Sequence, residues 1–321
     1  MEMNQNSVQE QPVQTIIPAP VQSENTDAAG MSPELQLEEV HSSAAPQQTL
    51  EYTYDPEKAA CIAEVLRELL DPEYILLFGK MAGKTPISDT LTYDLLVITA
   101  TPPRYNWYEA KRYLKMKIPS IGHGAPYMNI YVHTLHDVES NYGAFFYLAR
   151  REGIVLYRSH RRKYTRPKGN FDFGQAASVA SKYMGTFLPQ ADRLVSYAEH
   201  RIDWEYLRES AFTMAQAAVY YYRTLFFVYH GFEADTCDVQ ILHHRLRTIS
   251  GELPLLFEKD EFRSIHTLRC LNQFLANAQY DPKFFIMPGE LIQHLDRVRK
   301  LGGVVNDLCK KRIALYEKRT Q

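Results

Sequence analysis

The stretch Ile75-Leu76-Leu77-Phe78-Gly79-Lys80-Met81-Ala82-Gly83-Lys84 decides how the first half of the chain folds. It is an apolar run that leads directly into a glycine-containing turn, which is typical of a buried strand followed by a loop. A second run, Leu91-Thr92-Tyr93-Asp94-Leu95-Leu96-Val97-Ile98, follows after a short interval. The pair predicts two strands of a small sheet, the second of which carries Asp94.

The same signals place the other elements of a first domain. Strands are predicted at residues 74–78, 93–99, 128–133 and 154–157, and helices at 56–70, 106–116 and 135–151. The first helix should begin at Asp55-Pro56-Glu57, because Asp can cap a helix and Pro suits its first turn. These elements predict a small mixed α/β domain spanning residues 51–165.

The second half of the chain has helical periodicity throughout. Long helices are predicted at residues 175–199, 205–230, 237–249, 261–278 and 288–317, separated by Gly231, Pro254, Pro282 and Pro288. Consecutive helices with short connections favour an antiparallel bundle, here residues 166–321. The predicted fold class is therefore α+β, a small mixed sheet domain followed by an all-α bundle.

Composition limits where the protein acts. Residues 1–50 are rich in Gln, Pro, Ser, Glu and Ala, so they are predicted to be a disordered tail. The net charge of −2 gives no global field for nucleic acid or membrane, so any basic surface must be local. The chain shows no secretory signal and no apolar run long enough to span a bilayer, so we expect a cytoplasmic protein that does not enter the membrane.

The four cysteines are scattered along the chain without a C-x-x-C pair. They are Cys61, Cys237, Cys270 and Cys309. Such spacing fits neither a zinc site nor a disulfide framework, and it is consistent with a reducing compartment.

In order, spacing and hydrophobic frame, the two strands and their loop resemble the nucleotidyltransferase superfamily. The resemblance implies that a Gly-Ser turn cradles NTP phosphates and that an Asp-x-Asp pair on the next strand holds Mg²⁺. Residues i and i+2 of a strand share a face, so two carboxylates there converge on one cation. In this chain Gly79 is present, but Lys80 replaces the serine, Thr92 replaces the first carboxylate, and only Asp94 remains.

These departures leave several roles open for the first domain. Asp94 is the predicted catalytic carboxylate and metal ligand, and Asp89 could replace the missing acid from the loop. Gly79, Lys80, Lys84 and Thr92 are the candidate nucleotide-binding residues, with the lysines holding phosphate by charge. An equally plausible alternative is that Asp94 binds no ligand and is a strand residue whose carboxyl makes only hydrogen bonds within the protein.

The helical half resembles HEPN domains, and the whole of residues 57–317 is similar to bacterial proteins that join a nucleotidyltransferase domain to a HEPN domain. The resemblance rests on the arrangement of AFTMAQAAVYYYR at 211–223, Gly231, DTCDV at 235–239, the segment 271–280 and the final helix. Positions that are polar or charged in the family pattern are Ala215, Cys237 and Gln279 here. An arginine-to-histidine spacing typical of HEPN ribonucleases occurs at Arg223 and His230 and again at Arg193 and His200. Arg223 and His230 are the candidate catalytic residues of this half, and ordinary surface or interface residues are the alternative.

A basic stretch joins the two predicted domains. Residues 158–168 read RSHRRKYTRPK, with Tyr157 and Tyr164 among the cations. Cations interleaved with aromatic rings suit RNA backbone and base stacking, and a solvated linker explains the same pattern.

Three functions follow from these patterns. The first is a pseudoenzyme that binds nucleotide or RNA with little or no catalysis, and the resemblance suggests a toxin–antitoxin, defence or stress context. The second is an active transferase that moves a nucleoside monophosphate from NTP to an RNA, protein or small-molecule hydroxyl with Mg²⁺. The third is a homodimerisation module that uses the aromatic residues at 220–222 and 226–227 of the helical domain.

Overall fold

A mixed sheet and a set of long helices make up the described part of the chain. The computed structural model describes residues 56–78, 92–118, 127–140, 143–161, 163–258 and 261–320. In chain order the described elements are α1 (Pro56–Leu70), β1 (Tyr74–Phe78), β2 (Thr92–Thr99), α2 (Trp107–Lys117), β3 (Tyr127–Thr134), α3 (Leu135–Ser140), α4 (Ala144–Glu152), β4 (Ile154–Arg158), α5 (Phe173–Asp203), α6 (Leu207–His230), α7 (Val239–Leu246), α8 (Glu252–Glu258), α9 (Glu261–Asn277) and α10 (Pro288–Lys318). The predicted α+β class is confirmed at this coarse level.

The sheet has the strand order β3-β2-β1-β4 among the described residues. β2 and β3 run parallel, whereas β1 is antiparallel to both β2 and β4. Side chains alternate between the two faces of each strand. Tyr93, Leu95 and Val97 of β2 pack with α1 and α2, while Leu96 and Ile98 belong to the core shared with the helical half.

Both faces of the sheet are therefore buried, and one of them is continuous with the bundle. Phe145 and Phe146 of α4 belong to the same core cluster as Leu96 of β2 and as Phe226 and Leu225 of α6. α5, α6 and α10 pack against one another and form the body of the helical half. None of the helices in the described residues has the length and apolarity needed to cross a bilayer.

Several helix starts follow from local chemistry. Asn106 caps α2 by accepting from the backbone N–H of Tyr108 and Glu109, and the Glu109 carboxylate accepts from the Asn106 N–H in return. This capping box satisfies backbone donors that the first helical turn leaves open. Pro288 lies in the first turn of α10, where its missing N–H costs nothing.

The structure differs from the sequence-based prediction in two places. The single helix predicted at 135–151 is wrong, because α3 ends at Ser140 and α4 begins after Gly143, the extended residue that precedes it. The sequence-based prediction lacks the short helix α8, because it treats Pro254 as a break between two helices. Proline is tolerated in a first helical turn, and Pro254 occupies that position in α8.

The aromatic residues expected to form a dimer surface lie mostly inside the chain. Tyr221, Tyr222 and Phe226 are buried in the core, and the half-buried Phe227 stacks on Tyr183 with ring centroids 3.7 Å apart. These side chains do not form a free surface for a second copy. Homodimerisation itself stays a prediction.

Candidate functional site

Asp94 lies at the end of the sheet where β1 runs into residues 79–91. The antiparallel register pairs Phe78 with Asp94, and the parallel register pairs Asp94 with Asn129. The segment that carries Gly79, Lys80, Lys84 and Asp89 lies outside the described residues, and so does the predicted tail at 1–50. Thr92 is the first residue of β2. The chain therefore enters and leaves the predicted phosphate-binding loop beside Asp94.

The Asp94 carboxyl is buried and has a polar neighbour. Asn129 Nδ2 donates a hydrogen bond of 2.7 Å to Asp94 Oδ1, and the Asp94 residue is 8% exposed. Burial raises the pKa of Asp94 to about 7, and the Asn129 hydrogen bond opposes that rise. Asn129 Oδ1 is buried and has no hydrogen-bond partner among the described residues. Burial is the larger of the two effects, so the surroundings favour the neutral acid.

A magnesium site centred on Asp94 is not assembled by the described residues. The neighbouring side chains on the same face of β2 and β3 are Leu96, Asn129 and Tyr131, none of which is acidic. Among the described residues, Asp94 belongs to no group of three or more potential metal ligands. A single carboxylate binds Mg²⁺ weakly, since Mg²⁺ prefers several charged oxygen ligands.

A guanidinium from the helical half reaches the same face of the sheet. Arg245 of α7 is 5% exposed, with Cζ 4.0 Å from the centre of the Trp107 ring and 5.5 Å from that of Tyr131. Its Nη1 donates a hydrogen bond of 2.8 Å to Asp235 Oδ1. Burial raises the pKa of Tyr131, and the Asp94 charge raises it further. Tyr131 thus lies between Asp94 and Arg245.

Further cations of α2 and α7 gather around Arg245. We call Lys111, Lys115, His244, Arg245 and Arg247 the α2–α7 basic cluster. Burial lowers the pKa of Lys111 to about 8, with Lys115 and Arg245 adding to the effect. Burial also lowers the pKa of His244 to about 3, with help from Lys111 and Arg247. His244 is therefore neutral at pH 7, and the charged members are Lys111, Lys115, Arg245 and Arg247, the last of which caps α7. Cations that lie close to one another form a place where an anion is stabilised.

Arg223 and His230, both on α6, have separate partners. Arg223 Nη2 lies 2.8 Å from Glu233 Oε2. His230 is buried, its ring stacks on Phe226 at 4.1 Å, and its Nδ1 donates a hydrogen bond of 2.9 Å to the Phe226 carbonyl. Burial lowers the pKa of His230 to about 3. This is the environment of a neutral core histidine, and a catalytic role for the pair stays a prediction.

The basic stretch that joins the two halves is tied to the first domain. Arg161 forms ion pairs with Asp71 at 2.6 Å and with Glu73 at 3.4 Å. The Tyr164 ring packs edge-on against Tyr74 with centroids 5.1 Å apart, and its hydroxyl donates to the Arg150 carbonyl. Tyr164 is therefore engaged in structural contacts rather than presented to a base. Arg162 lies outside the described residues.

A cavity of about 480 Å³ lies at the other end of β3. His133, Asp137 and Phe146 line one side, and Phe227 and Glu233 of the helical half line the other. Burial lowers the pKa of His133 to about 4, so its imidazole is neutral at pH 7. Of the sequence-predicted site residues that the structure describes, none lines this cavity.

Sequence reasoning identified Asp94 but missed the α2–α7 basic cluster. Its members come from two segments more than a hundred residues apart, so no contiguous run of cations marks it. A comparison of the chain with protein-family models finds no match, and neither does a comparison with curated protein sequences.

Proposed function

We propose that the chain is a nucleotidyltransferase–HEPN-type protein that binds the phosphates of a nucleotide or RNA between the Asp94 end of the sheet and α7, with little or no catalysis. The observation that carries this proposal is the convergence of Arg245 and Lys111, from opposite halves of the chain, beside the aromatic rings of Trp107 and Tyr131. Cations bind phosphate, and exposed aromatic rings stack on bases. Tyr131 is buried, so of these two rings the half-buried Trp107 is the one that would stack on a base.

The state of Asp94 argues against efficient metal-dependent transfer. Two-metal phosphoryl transfer requires several carboxylates that remain ionised at neutral pH. Among the described residues, Asp94 is in no group of potential metal ligands, and the side chain that contacts it, Asn129, is an amide. Binding that depends on lysine and arginine needs no such metal, so nucleotide affinity can persist where transfer does not.

A matched pair of lysine variants tests the binding site. Lys111→Met keeps much of the apolar stem and removes the charge, so we expect NTP or single-stranded RNA affinity to fall about tenfold. Lys182→Met, on the exposed surface of α5, is the control and should bind as the unmodified protein does. The measurement is fluorescence anisotropy with labelled ATP, GTP and a short RNA at fixed ionic strength. An equal loss of affinity in both variants, or no loss of affinity in Lys111→Met, would contradict a binding site beside Lys111.

An active nucleotidyltransferase is the second candidate, and one observation favours it. β1 enters the predicted phosphate-binding loop directly beside Asp94, which is the position a catalytic carboxylate would need. A transferase would move radiolabel from an α-labelled NTP to an acceptor in the presence of Mg²⁺ or Mn²⁺. Loss of that transfer in Asp94→Asn, with nucleotide binding retained, would establish this reading in place of the pseudoenzyme.

A further inference from the structure

Two pairs of potential metal ligands face each other across α9 and α10. His266 and Cys270 are four residues apart on α9, and Glu290 and His294 are four residues apart on α10. Residues at this spacing lie on the same face of a helix. One ligand atom from each of the four side chains lies within 4.8 Å of every other. The group is separate from the Asp94 site and uses none of its residues.

His294 supplies an independent sign that a ligand belongs here. The residue is 5% exposed, yet neither ring nitrogen has a hydrogen-bond partner among the described residues. The nearest partner is Glu290 Oε1, 3.7 Å from Nε2, which is too far for a hydrogen bond. A buried imidazole with two unsatisfied nitrogens is costly to the folded state. An ion bound by one of these nitrogens removes part of that cost.

We propose that His266, Cys270, Glu290 and His294 bind a zinc-class divalent transition-metal ion. Two imidazoles, one thiolate and one carboxylate are ligands that zinc takes in tetrahedral geometry. The sulfur ligand and the imidazoles disfavour Mg²⁺ and Ca²⁺, which select oxygen. A tetrahedral zinc site has ligand atoms about 3.3–3.8 Å apart, so the observed group is slightly wider than the bound geometry.

The burial of the four side chains explains how the group can close. Cys270 and His294 are buried and held by packing, whereas His266 and Glu290 are exposed. Cys270 Sγ already lies 3.4 Å from His266 Nδ1. The two exposed side chains have room to move toward the buried pair, which would shorten the distances between ligand atoms.

Four protein ligands leave no open position, which is typical of a structural site rather than a catalytic one. The ion would tie α9 to the first turns of α10 across the connection at 278–287. It would thereby stabilise the folded helical half, because an ion that binds only the native state shifts the unfolding equilibrium.

Cobalt and zinc titrations of the full chain, purified without a polyhistidine tag and stripped with a chelator, test this site. We expect one Co²⁺ per chain, with the intense visible bands of tetrahedral cobalt and a thiolate-to-cobalt charge-transfer band in the near ultraviolet. Zinc should displace the cobalt and raise the melting temperature. Cys270→Ser should lose the charge-transfer band and bind zinc about tenfold or more weakly. Cys309→Ser, the other buried cysteine, is the matched control and should retain both.

Variants of the two exposed ligands separate a loss of metal binding from a loss of folding. Glu290→Gln changes an exposed side chain and should weaken zinc while leaving the circular dichroism spectrum of the stripped protein unchanged. His266→Gln should do the same, whereas His200→Gln, an exposed histidine of α5, should not. Absence of stoichiometric binding, an unchanged charge-transfer band in Cys270→Ser, or equal zinc affinity in His266→Gln and His200→Gln would overturn the site.

Discussion

At the scale of single residues, Asp94 illustrates how burial changes the chemistry of a recognisable side chain. Its place on β2 was predictable from the strand pattern, and its position beside the loop follows from the register with Phe78. Its ionisation was not predictable, because it depends first on how deeply the folded chain buries the carboxyl and then, in the opposite direction, on the hydrogen bond from Asn129 of β3. Burial outweighs that hydrogen bond, so the neutral form is favoured.

Asp94 should therefore make stability depend on pH in a defined direction. Its pKa is about 7 when folded and has an ordinary value of 3.8, so the folded state binds more protons between these values. Stability that is present at low pH is then lost as pH rises toward 7. Asp94→Asn keeps the shape and removes the titration. We expect the unmodified protein to lose about 3 kcal/mol more than Asp94→Asn between pH 5 and pH 8.

Urea denaturation of both proteins at the two pH values measures this difference. Buried histidines such as His230 and His243 also titrate on unfolding, with pKa values lowered to about 3 and about 4. They are present in both proteins, so their contribution cancels in the comparison. Parallel pH profiles for the two proteins would show that Asp94 is ionised at all these pH values and is available to a metal.

Arg223 and His230 show the limit of spacing arguments at the same scale. The spacing correctly predicted that both lie on one helix, α6. It carried no information about partners, which are Glu233 for Arg223 and the Phe226 carbonyl for His230. Glu233 lies just beyond the end of α6. Its position depends on how the chain turns after Gly231, which has a left-handed backbone conformation at the end of the helix.

At the scale of elements, local signals predicted those features that depend on neighbouring residues. The helices predicted to begin at 106 and 288 are such cases, since Asn106 is the N-cap of α2 and Pro288 is the first residue of α10. The strand order and the antiparallel pairing of β1 with β4 were not predictable, because they join residues far apart in the chain. The break between α3 and α4 had a signal in Gly143 that the apolar periodicity outweighed.

Adjacent glycines in α10 provide a test of helix packing. A Cβ at Gly302 would lie 2.6 Å from the Tyr221 ring, whose hydroxyl donates to Asp192 and is held in place. A Cβ at Gly303 would have no neighbour within 4 Å. Gly302→Ala should therefore cost about 1–3 kcal/mol by overpacking, whereas Gly303→Ala should gain about 0.5–1 kcal/mol of helix propensity.

Chemical denaturation of the two alanine variants distinguishes these effects. They place the same methyl group on neighbouring positions of one helix, so propensity contributes equally to both. Similar stabilities would mean that α10 does not approach α6 closely at Gly302.

The ligand pairs of α9 and α10 had a sequence signal that spacing rules for cysteine pairs do not detect. The absence of a C-x-x-C pair excludes only zinc sites that are built on two neighbouring cysteines. A histidine four residues before Cys270, and an acid four residues before His294, place two ligands on one face of each helix. The meeting of the two faces depends on tertiary structure.

At the scale of the whole molecule, the two halves share one core. Residues of the sheet, of α4 and of α6 belong to a single buried cluster, so the face of the sheet beyond Asp94 is covered by helices rather than solvent. This packing brings α7 over the sheet and places Arg245 beside Trp107. A net charge of −2 predicts that any basic surface is local, and the most concentrated basic stretch in the sequence is not the cluster that the fold assembles.

The most direct test of the central claim is a thermal-shift titration with the four NTPs, with and without Mg²⁺, on the unmodified protein and Asp94→Asn. Binding to the native state raises its stability by RT ln(1 + [L]/Kd). If lysine and arginine hold the phosphates, at least one NTP will raise the melting temperature of both proteins without added metal. A shift that requires Mg²⁺ and disappears in Asp94→Asn would contradict the account and indicate a working metal site, and no shift with any NTP would contradict nucleotide binding itself.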